Sequence, residues 1–205
     1  MKYSAGYRRF LVKYNEVAGP NNVRPKRIGI AGYMGAGKTT HAHSFEADGA
    51  IIIDADAEAK LLMSRDCQLQ CKLKDAFGEA VVDGNNLRFD YLGQAAFKSI
   101  ESLQTLNGIA HPPLVEHLKR LIFDSDRPPL IILDAALIPL WGIEFWFDKC
   151  VWIDTLFETR FERLKTKRSD IDEQELIRRM KMQEKIMPPP DSKLWVKLSE
   201  PLCCP

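Results

Sequence analysis

Nothing in this 205-residue chain approaches a membrane span, since no apolar run nears the roughly 20 residues a helix needs to cross a bilayer. Nor does charge of one sign prevail. Lys and Arg number 29 against 28 Asp and Glu, so no global field recruits nucleic acid or an anionic membrane, and neither is expected as a partner. Cysteine is scarce and odd in number: Cys67, Cys71, Cys150, Cys203 and Cys204. Cys67 and Cys71 have helical i, i+4 spacing, but no second pair follows at zinc-finger spacing. Reduced thiols in a soluble, cytoplasmic protein are the expectation. The chain has no internal repeat and no NKxD-like base-reading motif, which disfavours a GTPase switch. Its length suits one domain, or one domain with an inserted lobe.

What is present centres on Arg27 to Ser44, RIGIAGYMGAGKTTHAHS. Ile28, Ile30 and Ala31 read as a buried strand, the glycines Gly32, Gly35 and Gly37 as a tight turn, and Lys38 onward as a helix. Gly32, four residues, then Gly37-Lys38-Thr39 satisfies the phosphate-binding loop pattern in its required context, after a strand and opening a helix. Glycines let backbone N–H groups converge on an anion, and the helix start adds its positive dipole end. Lys38 can reach the β- and γ-phosphates, and the Thr39 hydroxyl can meet Mg²⁺. A nucleoside triphosphate is the expected ligand.

Before the loop, residues 1–26 carry six cations against the single acid Glu16. A transit peptide is one reading of such a leader. The scarcity of hydroxyl residues favours a peripheral extension, with a short helix over Arg8 to Val17. After the loop, Ala50 to Ile53 is a second strand, ended by Asp54-Ala55-Asp56. Strand, turn, helix, strand opens a parallel α/β sheet, whose strand C-termini bind ligands. Asp54 and Asp56 share one side of an extended segment, so one can act while the other caps a helix; Asp56 is preferred for the site. Residues 57–126 are mostly helical in pattern with no clear strand, an inserted lobe in which Asp83-Gly84-Asn85-Asn86 is a turn and Leu87 to Leu106 a helix. His111-Pro112-Pro113 is expected to break the pattern before a separate helix, Leu114 to Phe123. A histidine there is more often a turn or cap residue than a base.

Pro129 to Asp134 is the clearest buried strand. Asp134 either holds Mg²⁺, directly or through water, or caps the next segment. A further strand at Cys150 to Asp154 precedes a basic amphipathic helix, Leu156 to Lys167, most of whose charges form a solvated face, with one or two arginines available to phosphate oxygens. A last helix, Asp172 to Lys185, stops at Pro188-Pro189-Pro190, and Leu194 to Leu198 is a weak strand.

In this order the pieces GYMGAGKT, IIIDADAEA, DAFGEAVVDGNNL, LNGIAHPPL, IILDAALI, ETRFERLKTKRSD and RRMKMQ resemble the dephospho-coenzyme A kinase family over Ile28 to about Gln183. The resemblance implies a P-loop kinase with a three-layer α/β fold, a five-stranded parallel core, a helical acceptor-binding lobe and an arginine-bearing lid at 157–185. The kinase domain would run over 27–198 and a tail over 199–205. It implies MgATP and dephospho-CoA as small-molecule substrates of a monomer or small homo-oligomer. By position, Asp56 falls at the proposed general base, with Lys38 as the second catalytic residue. Gly32, Gly35, Ala36, Gly37, Lys38, Thr39 and Thr40 fall at the ATP phosphates, and Arg163 and Arg168 in the lid. Phe77, Leu87, Arg88, His111 and Pro112 fall, with Asp56, on the acceptor side, and Thr39 and Asp134 at the metal.

Three departures stand out. The family usually follows its PLL segment with an aromatic and a glutamate, whereas here Ala136-Leu137-Ile138-Pro139-Leu140 lacks the glutamate. The family's arginine two residues after Leu87 is replaced by Phe89, with Arg88 one position early. Arg163 and Arg168 are one residue further apart than in the family. These changes bear on acceptor affinity more than on ATP binding. They leave open two rivals, a kinase for another hydroxyl metabolite such as a nucleoside or sugar, and a non-catalytic ATP-binding regulator.

Overall fold

Unbroken apolar runs make strands buried on both faces of a parallel sheet, and a five-stranded parallel sheet with such runs at its middle forms the centre of this molecule. The computed structural model describes residues 26–46, 49–84, 86–123, 130–168, 171–191 and 195–199. In chain order the elements are β1 (Lys26–Ala31), α1 (Lys38–His43), β2 (Ile51–Asp54), α2 (Ala55–Arg65), α3 (Cys67–Phe77), β3 (Val82–Asp83), β4 (Asn86–Leu87), α4 (Phe89–Ala96), α5 (Ile100–Phe123), β5 (Leu130–Asp134), α6 (Ile138–Trp141), β6 (Lys149–Asp154), α7 (Phe157–Lys167), α8 (Glu173–Ile186) and β7 (Trp195–Ser199). The main sheet runs β2-β5-β1-β6-β7, with every neighbouring pair parallel.

Side chains alternate between the two faces with period 2. Ile28, Ile30, Leu130, Ile132, Val151 and Ile153 pack on one face with Ala42 of α1 and Phe45. Ala31, Ile131, Leu133, Cys150 and Trp152 pack on the other with Leu114, Leu118 and Ile122 of α5. Helices therefore cover both sides, giving three layers. The expected kinase-type α/β fold with five parallel strands is the fold observed.

The lobe has its own core, in which Met63, Leu69, Leu73, Val81, Leu87, Leu92 and Ala110 pack together. Two expectations about it are corrected. It contains a small antiparallel hairpin, β3 with β4, turned at Gly84 with φ near +60°. Strands of two residues are too short to register as a period, and they take Leu87 out of the expected helix; Asn85 lies outside the described residues.

The second correction concerns the prolines. Pro112 and Pro113 do not divide α5, which is one helix of 24 residues. Its buried stripe, Leu103, Ala110, Leu114, Leu118 and Ile122, follows helical spacing through the proline pair. An interior proline costs about 3 kcal/mol, and each large apolar side chain returns roughly 1.5–3 kcal/mol on burial. Four such side chains match or exceed the cost of two prolines. Tertiary packing overrides the local break.

The sheet also extends one residue past each expected domain boundary, to Lys26 and Ser199. The N-terminal extension up to residue 25, with its Arg8–Val17 helix, and the tail with Cys203 and Cys204 lie outside the described residues. Among those described, Cys67, Cys71 and Cys150 are free, and burial pushes the Cys150 thiol up to about 12. No described helix is long and apolar enough to cross a membrane.

Candidate active site

Strand register brings the site together. Asp134 at the end of β5 pairs with Ile30 of β1 on one side and with Asp54 of β2 on the other. With neighbouring strands about 4.8 Å apart, the loop leaving β1 and two carboxylate-bearing strand ends share one edge of the sheet. This is also where the strand order reverses, the usual ligand crevice of an open α/β sheet.

The loop's backbone requires its glycines. Gly32 has φ near +148°, Gly35 +75° and Gly37 +92°. A Cβ on Gly32 would sit 2.7 Å from the Ile153 carbonyl oxygen, and one on Gly35 would sit 2.8 Å from that of Arg160. Backbone strain of this kind costs about 1–3 kcal/mol per residue. Gly32→Ala is therefore expected to lower unfolding stability by that amount and to weaken nucleotide binding, which thermal denaturation with and without an ATP analogue will measure. Gly37 is the N-cap of α1, and no side chain caps the helix there, so its first-turn amides are available to an anion.

Lys38 donates from Nζ to the Tyr33 carbonyl at 3.3 Å. Burial pulls its ammonium below the ordinary lysine range, while Asp134, Asp56 and Asp54 pull the other way. Thr39 Oγ1 donates to Asp134 Oδ2 at 2.6 Å. Asp134 is only 5 % exposed, and burial raises its pKa against the opposing pull of Thr39 and Lys38. Mg²⁺ in nucleotide sites typically takes one or two protein oxygens, with phosphates and waters completing the shell. The Thr39–Asp134 pair fits that pattern. Among the described residues no group of three or more His, Cys, Asp or Glu side chains could hold a metal unaided.

The two acids after β2 do not share an extended segment, as their spacing had suggested. The helix begins at Ala55, and Asp54 is its N-cap: Oδ1 accepts from the amides of Asp56 at 2.9 Å and Ala57 at 3.1 Å. Asp56 lies in the first turn of α2, exposed, with a carboxylate field that reaches Lys38. One turn on, Glu58 meets His117 Nε2 of α5 at 2.7 Å, which holds the start of α2 against α5.

Other contacts were not legible as site features. Arg160, which the basic helix hid among its neighbours, is 2 % exposed. Its Nε donates to the Thr155 carbonyl at 3.1 Å, its Nη2 pairs with Glu184, and its guanidinium lies 4.9 Å from the Tyr33 ring. Thr155 Oγ1 donates to the Ala36 carbonyl at 3.0 Å. The loop is also fastened to α8: the Met34 amide donates to Gln183 Oε1 at 2.8 Å, and the Tyr33 hydroxyl donates to the Met187 carbonyl at 3.0 Å. One signal in the sequence pointed to Arg160. It falls three residues after Phe157 and four before Leu164, on the apolar face of its helix.

The remaining sequence-derived residues are dispersed. Arg163 Nη1 donates to the Gly35 carbonyl at 3.4 Å, against the loop, and Arg168 is exposed just past α7. Leu87 packs in the lobe core, with Phe77 against it. The Arg88 guanidinium lies 3.7 Å over the Tyr91 ring. His111 and Pro112 come together on the wall of a cavity of about 670 Å³, which Trp141 also lines.

His111 meets Trp141 edge to face at 5.4 Å, and burial pulls its pKa down from 6.5 to about 4. Linkage fixes how stability then moves with pH. Between those two values the unfolded chain binds the proton and the native one does not, so stability rises with pH across that window and is lost as pH falls through it. The slope for one proton is at most about 1.4 kcal/mol per pH unit. His111→Gln is expected to lose less melting temperature than the parent between pH 7 and pH 4.5, as read by thermal melts across pH.

Residues 26–187 match the profile of the family described as dephospho-CoA kinase. The chain is similar to the dephospho-CoA kinase of Corynebacterium efficiens, 32 % identical over 160 residues that cover 77 % of this chain and 80 % of that protein. Against the dephospho-CoA kinase of Corynebacterium diphtheriae the identity is 34 % over 140 residues, covering 67 % and 70 %. Among solved structures it is similar to TT1252 from Thermus thermophilus, with a TM-score of 0.63, 27 % identity, and coverage of 88 % of this chain and 91 % of that one.

Proposed function

This chain belongs to the dephospho-CoA kinase family, and from that premise we propose that it transfers the γ-phosphoryl group of ATP to the ribose 3′-hydroxyl of dephospho-CoA with Asp56 as general base. The product is coenzyme A, and the step is the last in coenzyme A synthesis. The observation that carries the assignment is the convergence of three carboxylates on Lys38, whose charge all three favour, at the end of the sheet where the glycine loop leaves β1.

Phosphoryl transfer needs positioning and charge stabilisation more than covalent chemistry from the protein. Loop residues Gly32 to Thr40 hold the phosphates through their amides. Lys38 exchanges its bond to the Tyr33 carbonyl for the β- and γ-phosphate oxygens and stabilises charge there as it builds. Thr39 and Asp134 would hold Mg²⁺. When bound, the ion would offset the negative charge of the phosphates. Asp54 is committed to two backbone amides, which leaves Asp56 to accept the proton of the acceptor hydroxyl. Arg163 and Arg168 close over the phosphates from the lid, a role that the seating of α7 against Gly35 supports.

On this reading the partners are ATP and dephospho-CoA, and the protein works in the cytoplasm as a monomer or small homo-oligomer without nucleic acid or membrane. Phosphorylation assays at saturating MgATP across dephospho-CoA, nucleosides and sugars test the substrate. Turnover confined to dephospho-CoA is expected. A faster nucleoside or sugar reaction would overturn the assignment, as would ATP binding with no acceptor phosphorylated.

A further inference from the structure

The end of α8 meets the phosphate loop at Tyr33 in three ways. Met187, the residue that closes the helix, takes the Tyr33 hydroxyl on its carbonyl at 3.0 Å. Glu184 pairs with Arg160, whose guanidinium lies 4.9 Å from the Tyr33 ring. Gln183 Oε1 accepts the amide that follows Tyr33, Met34 N–H, at 2.8 Å. Residues 183 to 187 span about one turn, so a single short stretch of helix makes all three contacts.

The contact from Gln183 differs from the other two because it acts on the backbone. A peptide group is planar, so the Met34 N–H and the Tyr33 carbonyl turn together. Gln183 holds that plane on its N–H side. On the other side the Tyr33 oxygen accepts Ala36 N–H at 3.1 Å and Lys38 Nζ at 3.3 Å. Turning the plane to release Met34 would swing the carbonyl away from both donors. Hydrogen bonds in a chain also polarise one another, so an acceptor on the N–H makes the carbonyl a better partner for the ammonium.

We propose that Gln183 is a positioning residue for Lys38: through the Tyr33–Met34 peptide it keeps the ammonium at the loop, ready for the triphosphate. This rests on the function proposed above, in which Lys38 faces the phosphates of ATP. A lysine side chain has much rotamer freedom to lose, and a group placed in advance loses less of it on binding. Desolvation disfavours the charge of Lys38, and a fixed carbonyl dipole supports that charge in the free enzyme. Glutamine suits the task because its oxygen accepts from an amide without setting a negative charge beside a triphosphate.

The test is a double-mutant cycle read in the Kd for MgATP by calorimetric titration. Gln183 is half-buried on α8. Gln183→Met keeps side-chain length and helix propensity there while removing the acceptor. It is expected to weaken MgATP binding about five- to tenfold, with a smaller effect on kcat. In the Lys38→Met background the same substitution is expected to change Kd by less than twofold, because no ammonium is left to place. Thr155→Val provides the comparison. It removes the bond to the Ala36 carbonyl at 3.0 Å, a fastening of the loop that does not pass through the Tyr33–Met34 peptide, and its effect on Kd is expected to be equal in both backgrounds. Gln183→Asn, one methylene short, repeats the cycle, so misfolding of one variant does not decide the result. A loss that persists in full in the Lys38→Met background overturns the proposal, since the glutamine would then only hold the shape of the loop. A Kd within twofold of the parent in both single Gln183 variants overturns it as well. Because the cycle is read in nucleotide affinity, failure of the parent to phosphorylate dephospho-CoA would remove the proposed function and leave this result standing.

Discussion

Asp56→Asn is expected to lower kcat on dephospho-CoA by a hundredfold or more while leaving the Kd for MgATP within about twofold. A positioned general base contributes about 10²–10⁴ in rate, so the loss corresponds to about 3 kcal/mol or more of barrier. Asparagine keeps the size of the side chain and its place in the first turn of α2, but it cannot take the proton. ATP binding is expected to be spared, since in the proposed mechanism the phosphates meet the loop and Lys38, not this carboxylate. The neighbouring acid provides the control. Asp54 caps α2 through two amides, and Asp54→Ala should cost about 0.5–2 kcal/mol of stability. Equal turnover in Asp56→Asn and the parent, measured in initial rates at saturating substrates, would take the proton from Asp56 and give it to another group.

Lys38→Met is expected to lower kcat by about 10²–10³, the usual result of removing one preorganised donor from developing charge, and to weaken ATP binding as well. Methionine fills the space of the aliphatic stem, so the loop keeps its packing while the charge is lost. The change also reaches Asp134, whose carboxyl Lys38 holds down in pKa against burial. Pre-steady-state rates and nucleotide titrations separate the two effects. A variant that binds ATP as tightly as the parent and turns over at an equal rate would mean that the lysine does not face the phosphates.

The core of the fold was legible because parallel strands buried on both faces are written as unbroken apolar runs. Leu130 to Asp134 is buried at every residue, and the loop pattern has a fixed relation to the strand before it. The register that sets Asp54, Asp134 and Ile30 side by side was not legible, since it depends on strands far apart in the chain. The same holds for the lobe. Nothing local to His111-Pro112-Pro113 announces that a stripe from Leu103 to Ile122 will carry a helix straight through two prolines. Arg160 was hidden among other cations on one helix, and only the apolar side chains three residues before it and four after distinguish it. The acids after β2 were found but set in the wrong backbone, because an N-cap and a strand end look alike until the helix is seen to start at Ala55. The cavity is least legible of all. Its walls come from residues 100–112, 140–141 and 185–186, and only folding brings those stretches together.

The most direct test is to incubate the purified protein with MgATP and dephospho-CoA and to follow the phosphorylated product by mass and by phosphorus NMR. The account predicts a new phosphomonoester on the ribose 3′-oxygen, formed in step with ADP. ADP released without that ester, or an ester formed on a different hydroxyl, would contradict it.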